Sequence, residues 1–497
     1  MMRTKYLYII ITACIALLYG CKPTVENATQ VATLPKMYPD YTEVTIPKNI
    51  APLNFLLRDQ PEAIAVRING ADFDAWDGSK ATFNQKRWRE LLTANAGKTL
   101  NVEVSAQYDG AWKTFKAFHW YVANDTIDHT LTYRLIEPDY EIWNHVTIEQ
   151  RDITSFETSP IANHEMQENR CMNCHAFSNQ DPDLSMVYVR GKDGGAILND
   201  HGTLRKLNIK AHNDRDSMVS SSVYYGFSPS GRFITFSTNV IIPAFHARAN
   251  KRLEVYDKAS DVYVADLKSN TIYHSPLLAD SAHLETFPTF SPDGKYIYYC
   301  VADANGLLTD NLKGLQYSLV RIPFNEKTGR IGNKVDTLLH AGTGKDATEK
   351  RSVCHPRISP DGRYIVYTVA SYGTFPIWHP EADLQLMDLA TGRIDSMAMA
   401  NSDKSDTYHS WSSNSRWLVF ASKRGDGVYG KPYFCYIDRN GHAHKPFVLP
   451  QADPSFYDNN LKSFNVPELG RGSVPFDPID VERVMKQTAE PFTLKDF

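Results

Sequence analysis

Phe290-Ser291-Pro292-Asp293-Gly294-Lys295, followed at once by the apolar run 296–300, is the stretch that decides the fold. Pro, Asp and Gly in succession are type I turn chemistry: Pro presets φ, Asp bonds its own backbone, and Gly accepts the exit conformation. A turn of this kind ahead of a β-rich run joins two antiparallel strands. The pattern returns as Phe227-Ser228-Pro229-Ser230-Gly231-Arg232, Ile358-Ser359-Pro360-Asp361-Gly362-Arg363 and Trp411-Ser412-Ser413-Asn414-Ser415-Arg416, each ahead of its own strand at 233–237, 364–368 and 417–421. The Asp residues therefore count as turn formers and carry no catalytic weight. A second strand pair follows each unit, as in 262–267 then 271–275, or 383–389 then 393–397. Four antiparallel strands per repeat, at a spacing of roughly 50–70 residues, describe the blades of a β-propeller.

Cys174-His175-Ala176-Phe177-Ser178 falls into the same frame, with Phe177-Ser178 in the place of Phe290-Ser291. Five blades are readable in this way. A sixth can be assembled from 131–135 and 145–151, with or without the C-terminal tail, by pairing strands from distant parts of the chain. Ring closure removes exposed strand edges, so six blades is the expected number and seven the alternative. The fold class is thus all-β, a propeller preceded by a smaller β domain. That domain, at 41–125, carries short alternating runs with Asn69-Gly70 and Asp109-Gly110 as hairpin turns, and one helical turn at 85–92; a small immunoglobulin-like β-sandwich is expected. The propeller is expected over 126–450. The tail 451–497 is expected to hold one short helix, where Asp477 caps and Pro478 takes the first helical position.

The repeat resembles the TolB-type propellers, whose blades open with an aromatic or aliphatic residue, Ser, Pro, Asp and Gly. Cys354-His355-Pro356-Arg357, the stretch from Phe375 to Leu384 and the stretch from Tyr408 to Trp417 look like segments of a bacterial family of exported propeller proteins that carry one Cys-x-x-Cys-His. That family is often labelled TolB-like or cytochrome c biosynthesis protein. The label implies association with c-type haem and supplies no catalytic residues.

Cys171-Met172-Asn173-Cys174-His175 is itself the attachment signature of a c-type haem. Two thiols must reach the two vinyl groups of one porphyrin edge, and the adjacent imidazole then binds iron. A redox disulfide and half of a zinc site are the competing readings. Zinc calls for a second pair at similar spacing, which the chain lacks. Candidate ligands on the far side of the iron are His409, His355 and His379, in that order, with His164 and Met166 as local rivals. All three ranked histidines are expected near one end of the central channel. His246 in a loop between second and third strands, and His212, His283 and His340 in loops leading into first strands, belong to the same end.

The N-terminus bears on whether haem can be attached at all. Arg3 and Lys5 precede an apolar run, 6–19, too short to span a bilayer and suited to a secretory signal. Leu18-Tyr19-Gly20-Cys21 resembles a lipobox, which implies cleavage after residue 20 and lipidation of Cys21. Residues 1–20 are thus expected to be a lipoprotein signal peptide and 21–40 a tether, placing the chain in the cell envelope on the periplasmic side of a membrane, the outer one by the lack of a retention Asp after Cys21. Net charge is −4 over 497 residues, without a basic stretch interleaved with aromatics, so nucleic acid is not an expected partner. Cys300, Cys354 and Cys435 lie in apolar runs and are expected as buried free thiols.

Two functions follow. One is a lipid-anchored haem c protein for electron transfer or redox sensing. The other is an envelope interaction scaffold that meets a partner protein on a propeller face, with Cys171 and Cys174 as a structural pair. A hydrolase in the propeller funnel ranks below both, since no nucleophile elbow or paired carboxylates stand out.

Overall fold

A computed structural model describes residues 22–137, 145–166, 172–190, 193–209, 222–248, 251–304, 314–342 and 352–496. Contacts divide the chain into two units. The first holds the described residues up to Ala123 together with Pro450–Asn459; the second holds Asn124–Leu449 and the chain from Asn460 on.

In the first unit, Thr99–Tyr108 is the centre of a seven-stranded sheet that also contains Ala63–Ile68, Ala71–Asp77, Ala111–Thr114 and Phe118–Ala123. Its hairpins turn where expected, because Asn69-Gly70 (φ 52° and 79°) and Asp109-Gly110 (50° and 75°) accept the left-handed conformation. A three-stranded sheet and the helix Gln85–Ala94 complete the unit. Asn84 caps that helix by accepting from the Arg87 N–H at 3.1 Å. The core is aromatic: Trp88 stacks on Phe83 at 5.3 Å and meets Trp120 edge-on at 5.3 Å. Residues 451–497 do not form one tail. Asn54 donates to the carbonyls of Gln451 and Ala452 while its own oxygen accepts from Phe83, which ties Pro450–Asn459 into this first unit.

The second unit is a β-propeller. Among the described residues it holds six sheets, whose inner strands are Met172–Ser178, Ser222–Phe227, His283–Phe290, Ser352–Ile358, Asp406–Trp411 and Ser463–Gly470. The sixth sheet is assembled from both ends of the unit. Ser463–Gly470 comes from beyond the other five sheets and pairs antiparallel with Thr130–Ile136, Leu131 opposite Leu469, from before them. The ring is then joined to the first sheet, where Arg471 N–H donates to the Gln180 carbonyl at 2.8 Å. The helix Pro478–Met485 starts in a capping box on Asp477 and buries Val481, Val484 and Met485 in the core around Val146 and Ile161. Two last strands, Glu490–Pro491 and Thr493–Asp496, add in parallel to the outer edges of the first and second sheets.

The repeated serine explains the repeat. The side-chain oxygens of Ser228, Ser291, Ser359 and Ser412 accept from the backbone N–H five residues on (Phe233, Tyr296, Tyr364, Trp417) at 3.1, 3.0, 2.9 and 3.0 Å. Ser291 and Ser359 donate in turn to Asp293 and Asp361 at 2.7 and 2.6 Å. In the divergent fourth unit Asn414 takes the place of Asp and accepts from Ser412 at 2.6 Å. Ser415 stands where the others have Gly, at φ 61°, and its hydroxyl accepts from the Asp361 N–H of the neighbouring sheet at 2.9 Å, a contact glycine cannot make. Ser359→Ala leaves a buried N–H without its acceptor, so it is expected to lower the unfolding free energy by about 1–2 kcal/mol. Denaturant unfolding should show a reduced midpoint with an unchanged slope.

Candidate functional site

Each of the first five inner strands is thrown out of register by an irregularity on the approach to its Ser-Pro turn. The shifts fall between Met172 and His175, Val223 and Gly226, Thr286 and Thr289, Cys354 and Arg357, and Thr407 and Ser410. A bulge of this kind adds one residue and re-aims its side chain. At the bulges Tyr224, Phe287, His355 and Tyr408 take φ of 56°, 53°, 53° and 49°, and Val466 in the sixth inner strand takes 47°. Left-handed backbone costs such residues about 1–2 kcal/mol apiece. The partial return is a collar of rings: Tyr224 to Phe287 at 4.4 Å, Phe287 to His355 at 4.1 Å, His355 to Tyr408 at 4.6 Å. Contacts of this kind are worth about 0.5–1.5 kcal/mol each. Cys174 stands four residues before Ser178, as His355 stands before Ser359.

Against this collar lies a cavity of about 400 Å³, within the roughly 300–1,000 Å³ of small-molecule sites. His175, His355 and His409 all line it, with Arg357 and Glu468 beside them. Pro229, Pro292, Pro360 and Ser413 also line it, so the cavity opens at the end of the channel where the Ser-Pro turns lie.

All three imidazoles are buried, at 6 %, 4 % and 3 % exposure. Burial, aided by the Arg134 charge, pushes His175 down to about 3 against the pull of the Val466 carbonyl. Burial holds His355 well below the ordinary value, and Arg357 and His409 push the same way. Burial also takes His409 down to about 3, although the Val366 carbonyl opposes it. All three are therefore neutral at pH 7, the form that binds metals. His409 donates from Nε2 to the Val366 carbonyl at 2.8 Å, which leaves its lone pair on Nδ1. His175 Nε2 has no hydrogen-bond partner, and neither does either nitrogen of His355. Glu468 accepts from the Phe177 N–H at 3.2 Å and reaches within 3.8 Å of His175 Nε2. Burial raises the Glu468 carboxyl to about 7 despite Arg357, so its contact with the neutral His175 is not an ion pair.

His379 and His246 belong to another place. The second sheet's strands Phe233–Arg248 and Lys251–Asp266 run far past the sheet as an arm, away from the Ser-Pro turns. Leu253 and Val255 of that arm pack on Trp378, Tyr408, Val466 and Ile136 from the fourth, fifth and sixth sheets, so the arm crosses the other end of the channel. Glu254 anchors it. His379 Nε2 lies 3.0 Å from one Glu254 oxygen, and Lys251 and Tyr372 bond the other, both at 3.1 Å, with His246 3.4 Å away. His379 Nδ1 lies 3.0 Å from Glu381. Burial disfavours a charge on His379, but the two carboxylates override it and hold the imidazole above its ordinary value. Glu254 and Glu381 are both brought down to about 2: burial opposes this, and the bonds to His379, with Lys251 helping at Glu254, prevail. The expectation that His379 shares one end of the channel with His175, His355 and His409 is thus corrected: His379 is bound to the arm, whereas His355 belongs to the collar and all three of the others line the cavity on its turn side.

His164 and Met166 do not line the cavity; Met166 accepts from the Asn163 N–H at 3.3 Å. His283 bonds Asp280 at 2.8 Å and, with Glu285, forms a group whose ligand atoms lie within 4.8 Å of one another. Cys21, Cys171 and His212 lie outside the described residues, as does the side chain of Cys174 in Met172–Ser178. Cys300, Cys354 and Cys435 are buried free thiols. The arm and the Glu254 network were not signalled by the repeat.

A scan of protein-family models found no match, and a search of curated proteins found none. Among solved structures the chain is similar to the tricorn protease (11 % identity, TM-score 0.35, covering 71 % of this chain and 34 % of that one). It is similar also to the periplasmic gluconolactonase PpgL of Pseudomonas aeruginosa (14 %, 0.33, 65 % and 97 %). A DUF4784 family protein from Bacteroides caccae is a third (10 %, 0.31, 83 % and 96 %). The chain thus spans about a third of the length of the tricorn protease.

The arm should respond to pH in both directions. The contribution of His379 is complete below its ordinary 6.5 and is lost as pH rises through its raised value. Those of Glu254 and Glu381 are complete above 4.5 and are lost as pH falls toward about 2. Hydrogen exchange of Lys251–Asp266, corrected for intrinsic rates, should therefore be slowest between about pH 4.5 and 6.5. His379→Gln should remove the alkaline limb.

Proposed function

We propose that this chain is a cell-envelope propeller that carries one covalent c-type haem in the channel cavity, for electron transfer or redox sensing. The carrying observation is the state of His175: the histidine that follows Cys174 is buried, neutral and without a hydrogen bond on Nε2, in the same cavity as two further neutral imidazoles. A neutral imidazole with a bare nitrogen is the form that could bind haem iron, and in this respect His175 fits the group. Cys171 and Cys174 would hold it by thioether bonds and His175 by its ring nitrogen. Bound there, haem would supply one-electron chemistry.

The chain's own residues account for the rest. The collar of Tyr224, Phe287 and Tyr408 keeps water from the inner end of the cavity, and the arm closes the channel beyond it. Arg357 lowers the proton affinity of His355 and so keeps its lone pair free. The Ser-Pro turn end is left for a partner protein to approach. A signal peptide over 1–20 and a lipid on Cys21 would deliver the chain to the compartment where c-type haem is attached.

The second reading keeps the propeller as a scaffold, with Cys171 and Cys174 as a structural pair. It is favoured by the place of the motif, which lies in an inner strand of a sheet and not in a separate cytochrome domain.

Protein expressed with a haem-attachment system should keep its peroxidase stain after denaturation and give a c-type pyridine haemochrome. Cys171→Ala with Cys174→Ala should abolish both signals. Protein purified from a host with functional cytochromes, found free of covalent haem and with these cysteines joined, would establish the scaffold reading instead. Fractionation gives a separate test: wild type should sediment with membranes and Cys21→Ser should be released.

A further inference from the structure

We propose that Lys423 is a gated reactive amine: it lies sealed against Trp378 at the arm end of the channel, and lifting the arm opens it to small acylating electrophiles. The site is independent of any haem in the turn-side cavity. Lys423 follows the second strand of the fifth sheet, Trp417–Ser422. Its backbone is fixed on both sides, since its N–H donates to the Ser405 carbonyl and its own carbonyl accepts from the Gly427 N–H, both at 2.9 Å. Ser405 in turn donates from its hydroxyl to the Pro376 carbonyl at 2.9 Å, in the helical turn Pro376–Trp378. The side chain is so carried onto the face of the indole, with Nζ 2.9 Å from the ring centroid.

Lys423 is 2 % exposed, and its Nζ has no hydrogen-bond partner among the described residues. Lysine is almost never buried to this depth unless paired. A charged ammonium has three N–H groups to satisfy, and here it meets only the ring face. Attraction to the indole favours the charge, but the loss of water disfavours it by more. Burial holds the amine well below its ordinary value; Asp426 pulls the other way, and Arg252 adds to the burial. Asp426 is engaged elsewhere, with Lys431 at 3.0 Å and with the N–H groups of Val428 and Tyr429 at 2.7 Å. The adjacent Arg424 is bonded to Asp406 at 3.0 Å and to the Ala400 carbonyl. Lys423 thus keeps its lone pair, and the uncharged amine is the nucleophilic form.

The arm supplies the cover. Leu253 and Val255 share one core with Ile377, Trp378 and Ala421, and Ala421 stands two residues before Lys423 on the same face of its strand. The charge of Arg252 is felt at Lys423, which puts the arm beside the amine. That cover can be lifted. The sheet's first strand reaches only to Thr238 and its fourth only to Val264, so among the described residues 239–248 pair with 251–260 alone. Such a two-stranded ribbon is marginal by itself and depends on side-chain anchors. Asp257, bonded by Asn239 at 2.8 Å and Tyr317 at 3.2 Å, holds its root. Glu254 holds it further out through His379 and Tyr372, and is therefore the latch. Once the arm lifts, the amine nitrogen attacks an acyl carbonyl. The N–C bond forms, the bond to the leaving group breaks, the amine proton passes to water, and an amide results with no change of oxidation state.

Trace labelling of the whole chain with acetic anhydride, read lysine by lysine by mass spectrometry, tests this. Lys334, with its side chain 82 % exposed, serves as the internal reference. In wild type, Lys423 should be acetylated at least about tenfold more slowly than Lys334, because the reagent reaches it only through local opening. Glu254→Gln keeps the shape of the latch but weakens its bonds to His379 and Lys251. It should speed hydrogen exchange over 251–256 and raise acetylation of Lys423 above that of Lys334, since Trp378 still shields the amine and keeps it uncharged. Tyr372→Phe removes one latch bond and should raise both readings by less; it stands in should Glu254→Gln fail to fold. Four results would each overturn the proposal. Wild-type Lys423 labelled as fast as Lys334 means that there is no seal. Faster exchange of 251–256 with no faster labelling means that the arm is not the cover. Unchanged exchange in both variants means that Glu254 is not the latch. A Lys423 that opens yet stays slower than Lys334 means an ordinary charged lysine.

Discussion

The second unit depends on one constraint: its inner strands must supply both a hydrogen-bonded blade edge and side chains that fill the axis of the ring. A regular strand alternates between its two faces and cannot aim a residue along its own edge. The bulge four residues before each Ser-Pro turn resolves this by inserting a left-handed residue. The strain, about 1–2 kcal/mol at each of five side chains that carry a Cβ, is tolerated because the rings so presented touch one another in sequence. Tyr224, Phe287, His355 and Tyr408 form that chain of contacts. The cavity is what remains on the turn side of the collar.

The same channel sets histidines in two opposite states. On the turn side, burial lowers the proton affinity of His175, His355 and His409, with the Arg134 charge adding to it at His175 and Arg357 at the other two. On the arm side, His379 is equally buried but lies between Glu254 and Glu381, which hold its proton affinity above the ordinary value. Residue type and depth are alike; the neighbours decide. The first group keeps lone pairs for a ligand. The second is used up in pinning an arm of the second sheet across the channel.

Much of this was legible in the chain. Ser-Pro-Asp-Gly marked the turn between first and second strands, and counting back from each serine put His175, His355 and His409 in equivalent strands. The origin of the sixth sheet was left open, since pairing of Thr130–Ile136 with Ser463–Gly470 joins residues more than three hundred positions apart and no local pattern announces it. The end of the channel was not legible. Loops that lead into first strands do lie at the arm side, but His355 sits at the bulge and His175 and His409 one residue beyond that position, so all three line the cavity on the turn side. Nor could the pattern show why Ser415 replaces Gly, because its hydroxyl serves a neighbouring sheet.

High-resolution electron density for the haem-loaded protein tests the central claim most directly. The account predicts Tyr224, Phe287, His355, Tyr408 and Val466 in the left-handed region, the four rings in contact, and His175, His355 and His409 lining one cavity. Regular β-strand geometry at those five positions, with His355 turned back into its blade and hydrogen-bonded there, would contradict it.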